Sequence, residues 1–220
     1  MPLGNLEIDF NLKGRAKEYK RTLDLENAIS TVEFTCSGVK YKREYLASYP
    51  AKAIAAKLTC EGGKMSLNVS LNSKLRSSSF VKDDTVILDG ECPGEHNVNN
   101  DSGNRAYFEE NDKKGIHYRA AVKVITDGTM KTVENYLAVT DATEAVLFFT
   151  SETSFNGWDK HPYLEGKEYI EPCMERIASL NNYDSIKKAH LADYKELYDR
   201  VNLDLGEGRE DKPTNKRLGA

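Results

Sequence analysis

Hydrolysis of a glycosidic bond needs two carboxyl groups facing each other across a sugar, one to protonate the leaving oxygen and one to activate water or attack the anomeric carbon. The acids that best fit such work lie around one stretch, TSFNGWDKHPYLEGKEY, from Thr153 to Tyr169: Glu152, Asp159, Glu165 and Glu168. The same stretch holds Trp158, the single tryptophan, beside Asn156, Asp159, Lys160 and His161. An aromatic face suits the C–H groups of a sugar and amide or carboxylate side chains suit its hydroxyls, so Asn156, Trp158 and Asp159 form a candidate substrate-binding set. A second reading stands beside it, in which Trp158 packs against downstream helices, Asn156-Gly157 makes a turn and Phe155 is core in either case. Acids near a loop are expected without catalysis in a chain with 35 acidic residues. No catalytic pair is therefore assigned within the chain.

Other chemistries lack their residues. His96, His117, His161 and His190 share no metal-ligand spacing, and Cys36, Cys60, Cys92 and Cys173 form no C-x-x-C pair, which argues against a metal site. Cys36 and Cys60 fall on apolar strand faces and read as small core residues, with reduced thiols the plain expectation. There is no glycine-rich phosphate loop and no G-x-S-x-G elbow, so neither a nucleotide cofactor nor a serine nucleophile is expected. The 220 residues are 30% charged and 39% hydrophobic with net charge −4, and the two signs are interspersed. That pattern lacks the one-sided positive field of a nucleic-acid binder. No apolar run reaches the roughly 18 residues of a membrane span, and MPLGNLEIDF does not read as a signal peptide. Cellular location stays open.

The elements that would position these residues are mostly strands. Tyr19–Pro50 reads as the organising stretch: Val32, Phe34 and Cys36 alternate with Thr31, Glu33 and Thr35, Ser37-Gly38 turns the chain, and Val39, Tyr41, Arg43 and Tyr45 oppose a wet face of Lys40, Lys42 and Glu44. Leu6, Ile8 and Phe10 precede it. Ile54 to Cys60 and Met65 to Leu71 follow as alternating runs joined by Glu61-Gly62-Gly63, then a polar Ser-rich segment over 72–80, a strand at 86–88 and a long loop from Gly90 to Gly115. Tyr118 to Val124 and Thr132 to Val139 flank Asp127-Gly128, a strong hairpin dipeptide, and Val146 to Thr150 is the last strand. About nine or ten strands at this spacing predict an antiparallel β-sandwich. Beyond Asp159 the period changes to helical, with one helix through Met174, Ile177 and Leu180 and a second, capped by Asp184, whose stripe is Ile186, His190, Leu191, Tyr194, Leu197 and Tyr198.

Four segments in order, YKRTLDL (19–25), REYLASYP (43–50), TSFNGWD (153–159) and ADYKELYDRVNLDLG (192–206), resemble the N-terminal β-domain and following helices of glycoside hydrolase family 95, the α-L-fucosidases and related α-L-galactosidases. Ala51 departs from the Asp that commonly follows the proline in that family, and Leu46 from a frequent aromatic. The resemblance implies a β-sandwich of the super-sandwich type over 1–160, a pair of linker helices over 161–206, and a polar tail over 207–220 leading to an α/α barrel. It implies that the barrel, as partner, carries an inverting hydrolysis of terminal α-L-fucose from oligosaccharides. None of the barrel's motifs occurs here, so no catalytic residue is carried over and the chain alone is expected to be inactive. The strand within a few residues of Met1, and the helix opening at Lys212-Pro213-Thr214 so close to Ala220, lead to the expectation that sequence is missing at both ends. The alternative is an autonomous carbohydrate-binding sandwich that recognises oligosaccharide through loops at one end.

Overall fold

A computed structural model describes residues 3–96, 105–203, 206 and 213–217. Strands β1 (Asn5–Phe10), β2 (Lys17–Asp24), β3 (Ile29–Cys36), β4 (Val39–Ser48), β5 (Ala53–Glu61) and β6 (Met65–Asn72) come first. They are followed by β7 (Arg76–Lys82), β8 (Thr85–Glu91), β9 (Glu95–His96), β10 (Arg105–Ala106), β11 (His117–Thr126), β12 (Thr129–Val133), β13 (Tyr136–Ala142) and β14 (Glu144–Thr153). Three helices close the chain: α1 (Ile170–Ser179), α2 (Tyr183–Tyr198) and the short α3 (Thr214–Arg217).

Eight strands form one antiparallel sheet in the order β2-β3-β4-β5-β14-β11-β8-β7, and four form a second in the order β1-β6-β13-β12. The alternation within each strand decides which face each residue joins. On β11, Tyr118, Ala120, Val122 and Val124 point toward the small sheet, where Met65, Leu67, Val69, Leu71, Leu137 and Val139 meet them in a core between the sheets. The residue between, Ala121, points the other way with Phe148, Ala55 and Ile87, onto Cys173 and Ile177 of α1 and Tyr183 and Ile186 of α2. The molecule is thus a β-sandwich with helices packed on the outer face of its larger sheet, and that face is apolar because it is covered.

The β3–β4 hairpin has its expected register, Phe34 opposite Tyr41 and Cys36 opposite Val39. Both turn residues take positive φ, 51° at Ser37 and 82° at Gly38, as two-residue turns between twisted strands require. The stretch 19–50 nevertheless forms one flank of the large sheet rather than its centre, and β2 at the edge is exposed along nearly its whole length. Its Lys17, Lys20 and Arg21, with a register shift between Lys17 and Lys20, guard that edge against further pairing.

Several expectations change. Glu61-Gly62-Gly63 and Asp127-Gly128 do not close hairpins; each carries the chain from the large sheet to the small one, since β5 pairs with β4 and β14 while β6 pairs with β1 and β13. Asp127 secures the second crossing. Its carboxylate accepts from the Thr143 and Glu144 amides at 2.9 Å and from the Thr143 hydroxyl. Those bonds, the hydroxyl's first, lower its pKa to about 2. The polar segment 72–80 enters β7, an edge strand whose Ser77 and Ser78 face water. The cap of α2 is Asn182, whose side chain accepts from the Ser185 amide at 2.8 Å, with Asp184 in the first turn. Leu197 and Tyr198 of its expected stripe are exposed, as is Ile54 of β5. The wet face of β4 is covered at Glu44, which accepts from the Tyr183 hydroxyl at 2.7 Å and the Lys187 ammonium at 2.6 Å. The His96 side chain and most of the polar tail, Lys212 included, lie outside the described residues.

Gly90 shows how tightly β8 and β11 are fitted. It pairs with Tyr118, and a Cβ there would come within 2.3 Å of the Tyr118 hydroxyl and 2.4 Å of Cζ. The ring is buried and its hydroxyl donates to Ser73 Oγ at 3.1 Å, so it has little freedom to retreat. Gly90→Val is therefore expected to cost about 3 kcal/mol of stability; a urea midpoint equal to that of the parent would contradict this packing.

Candidate functional site

The sequence-selected residues lie on the loop that leaves β14 and enters α1. Ser154 pins it at both ends: its amide donates to the His117 carbonyl at 2.8 Å, its Oγ accepts from the His117 amide at 3.0 Å, and its carbonyl accepts from the Lys167 amide at 2.9 Å. Between these ties the loop closes on itself. Asn156 Nδ2 donates to the Glu165 carbonyl at 2.9 Å, and the Glu165 carboxylate accepts from the His161 amide at 2.9 Å. The His161 ring accepts at Nδ1 from the Tyr163 and Leu164 amides, at 3.2 and 3.0 Å, which leaves the proton on Nε2 to donate to the Asp112 carbonyl at 2.9 Å. A histidine thus joins the loop to the segment before β11.

Trp158 projects from this frame with 92% of its surface exposed, just after a turn at Gly157 (φ +123°). It does not pack against the helices, and Phe155, half exposed, is not core. Both expectations followed the rule that large aromatics are buried, and the closed hydrogen-bonded loop overrides it by holding the backbone without them. Asp159 beside Trp158 lies 3.9 Å from Lys160. The structure brings Asn156, Trp158 and Asp159 onto one loop, with one donor of the Asn156 amide engaged in stapling it. Trp158→Ala is expected to change stability by less than about 0.5 kcal/mol, and a melting temperature several degrees lower would mean that the ring has a packing role.

The four acids weighed for catalysis each have structural partners. Glu152 pairs with Arg176 of α1 at 2.5 Å and with Lys167 at 3.7 Å. Burial raises its pKa, but the Arg176 hydrogen bond and the surrounding cations outweigh this and hold the carboxyl below its ordinary range. Glu168 accepts from the Ile170 and Glu171 amides at 2.8 and 3.3 Å, closing the start of α1, and those bonds lower its pKa. Glu165 is lowered first by the His161 amide. A general acid needs a raised pKa, so these environments push the wrong way for that role.

Cys36, Cys60 and Cys173 are buried, Cys92 partly so, and all four are free thiols; burial pushes Cys173 up to about 11. His190, read as part of a helical stripe, is buried and bonds the Asn27 carbonyl through Nε2 at 3.0 Å. Among the described residues no three His, Cys, Asp or Glu side chains gather as a metal site, and no helix is long and apolar enough to cross a membrane. Sequence reasoning missed a cluster beside the loop: Arg119 grips Asp89 with two bonds of 2.6 Å, and Glu91 lies 3.2 Å from His117 Nε2 and 3.0 Å from Arg76. Its members sit on three strands, and no spacing along the chain announces them.

The chain is 30% identical to the protein named Alpha-L-fucosidase 2 from Arabidopsis thaliana, over 92% of its own length and 26% of that protein's. It is 24% identical to Probable alpha-fucosidase A from Aspergillus niger over 99% of its length and 27% of that protein's. It therefore spans about a quarter of the length of the curated relatives it matches. A solved structure titled as a putative kojibiose phosphorylase from human microbiome superposes with a TM-score of 0.53 over 87% of this chain and 24% of that one, at 12% identity, a likeness of fold. The family model that matches, over residues 1–158, is the N-terminal domain of glycosyl hydrolase family 65, where the sequence motifs had suggested family 95. Covering most of the chain and all twelve described strands of the sandwich, that match makes this chain a member of the glycosyl hydrolase family 65 N-terminal domain family.

Proposed function

We propose that the chain is the non-catalytic N-terminal domain of an α-L-fucosidase-type hydrolase of family 95, whose active groups sit on an α/α barrel elsewhere in the parent protein. Residues 1–160 are then the sandwich, 161–206 the linker helices and 207–220 the lead into the barrel. The observation that carries the reading is the similarity over 92% of the chain to a protein named as an α-L-fucosidase. The structurally engaged Glu152, Glu165 and Glu168 support it, since their lowered pKa values suit none of the three to act as a general acid. The parent reaction is hydrolysis of terminal α-linked L-fucose with inversion, and this domain braces the barrel. Fucose release from 2′-fucosyllactose tests the reading: a chain extended through its downstream reading frame should release it and the 220-residue chain should not. Release by neither would remove the fucosidase assignment.

A second reading, an autonomous carbohydrate-binding module, is favoured by the exposure of Trp158. Millimolar or tighter affinity for 2′-fucosyllactose that vanishes in Trp158→Ala would support it.

A further inference from the structure

We propose that the cleft where β7, β8 and β11 meet the segment entering α1 binds a neutral sugar unit through Arg76, Asp89, Glu91, His117 and Tyr169, a proposal that rests on the reading of the parent as a carbohydrate-acting protein. The cleft is shallow and open to solvent, with a volume of about 390 Å³, room for one sugar unit lying against the sheet. Its floor is the backbone of β8 at Gly90, and its walls are those five residues with Ser77 and Ser78.

The polar groups are fixed in direction before any ligand arrives. Asp89 is held by both arms of Arg119, and Glu91 is held between His117 Nε2 and Arg76 Nη1. Arg76 is itself oriented from behind: its guanidinium lies 4.6 Å from the centre of the Tyr107 ring, its amide donates to Tyr107, and Glu109 at the rim pairs with it at 3.2 Å. Inside the cleft the formal charges of Arg76 and Arg119 cancel those of Asp89 and Glu91. Nothing there favours a free anion or cation, whereas planar carboxylate and guanidinium groups present paired acceptors and donors at the spacing of vicinal hydroxyls.

One bond is also wanting. Glu91 Oε1 is buried and, despite its 3.0 Å distance from Arg76, accepts no aligned hydrogen bond. It is therefore an acceptor of the cleft that the protein itself leaves unmet, which is costly in a buried position. Tyr169 supplies an aromatic wall, and the Tyr163 ring, 5.1 Å from that of His117, extends it toward the Trp158 loop.

Titration of the isotope-labelled chain with L-fucose, D-galactose and lactose, followed by amide NMR, tests the assignment. At least one probe should bind with a dissociation constant of about 1–10 mM, shifting the amides of Ser77, Asp89, Gly90, Glu91 and His117. Glu91→Gln should weaken binding about tenfold. Because that change also breaks ion pairs, Ser78→Lys, which fills the cleft from an exposed position, should abolish binding while leaving the rest of the spectrum intact. Trp158→Ala should bind as the parent does. The proposal is overturned if no probe shifts these amides at about 50 mM, or if the shifts gather on Asn156–Lys160 and vanish in Trp158→Ala. Loss of cleft binding with fucose release by the extended chain intact would sink the cleft alone; the reverse would sink the fucosidase reading alone.

Discussion

Phe148→Ala is expected to lower the melting temperature by about 10 °C, the largest effect of any single truncation considered. Phe148 has no exposed surface and sits on the outer face of the large sheet, among Leu46, Ala55, Ile87 and Ala121, under Cys173 and Ile177 of α1 and Tyr183 and Ile186 of α2. Removing its ring leaves a void that strand neighbours cannot close, because β5 and β11 hold them in register on both sides of β14. A phenylalanine lost from such a position costs about 3–5 kcal/mol, and a chain of this size moves about 2–4 °C per kcal/mol. The loss should be cooperative, with helix and sheet signals melting together. A helical signal lost well below the sheet transition would mean that the helices are a separate unit.

Acid should loosen the same interface. Glu44 ties β4 to α2 and Glu152 ties β14 to α1, and in both the burial penalty is outweighed by hydrogen bonds and nearby cations, so both pKa values lie below the ordinary carboxylate range. A carboxylate whose pKa is lower folded than unfolded contributes its full stability above the unfolded value, near 4.3, and loses it as pH falls through the lowered folded value. The pairs are only 15–19% exposed at their acidic ends, so each is expected to contribute about 1–3 kcal/mol. Stability should therefore be level between about pH 5 and 7 and fall steeply below pH 4. The double variant Glu44→Gln, Glu152→Gln should be less stable at pH 7 by about 2–6 kcal/mol and have a shallower acid dependence, the remainder resting on other lowered carboxylates such as Asp127. An unchanged slope would place the titrating groups elsewhere. Tyr183 completes the arrangement: burial, and donation of its hydroxyl to Glu44, push its pKa upward, keeping it a donor at any ordinary pH.

Where a strand has one buried face, the sequence announces it: Val32, Phe34 and Cys36, Tyr118 to Val124, and Met65 to Leu71 all carry the alternation that the two cores require. Sheet membership was not legible, because an arch across a sandwich and a hairpin within a sheet use the same turn residues; Gly62-Gly63 and Asp127-Gly128 look like hairpins and are arches. Strand β7 was hidden because an edge strand facing water has no apolar row. The candidate loop was found through residue types alone, and the reading that packs Trp158 against the helices fails because the staples from Asn156, His161 and Glu165, which run to backbone atoms, hold the loop without it. The cleft was invisible for a different reason: Arg76, Asp89 and His117 come together only after β7, β8 and β11 pair.

The central claim is that this domain supports glycoside hydrolysis without performing it. Its most direct test is kcat for fucose release by the extended chain carrying Glu152→Gln, Glu165→Gln or Glu168→Gln, each measured well below its melting temperature. The account predicts values within about twofold of the parent, since a structural acid leaves the chemical step untouched. A fall of about 10²–10⁴-fold in any one of them, the size of a lost general acid or base, would put the chemistry in this domain and contradict it.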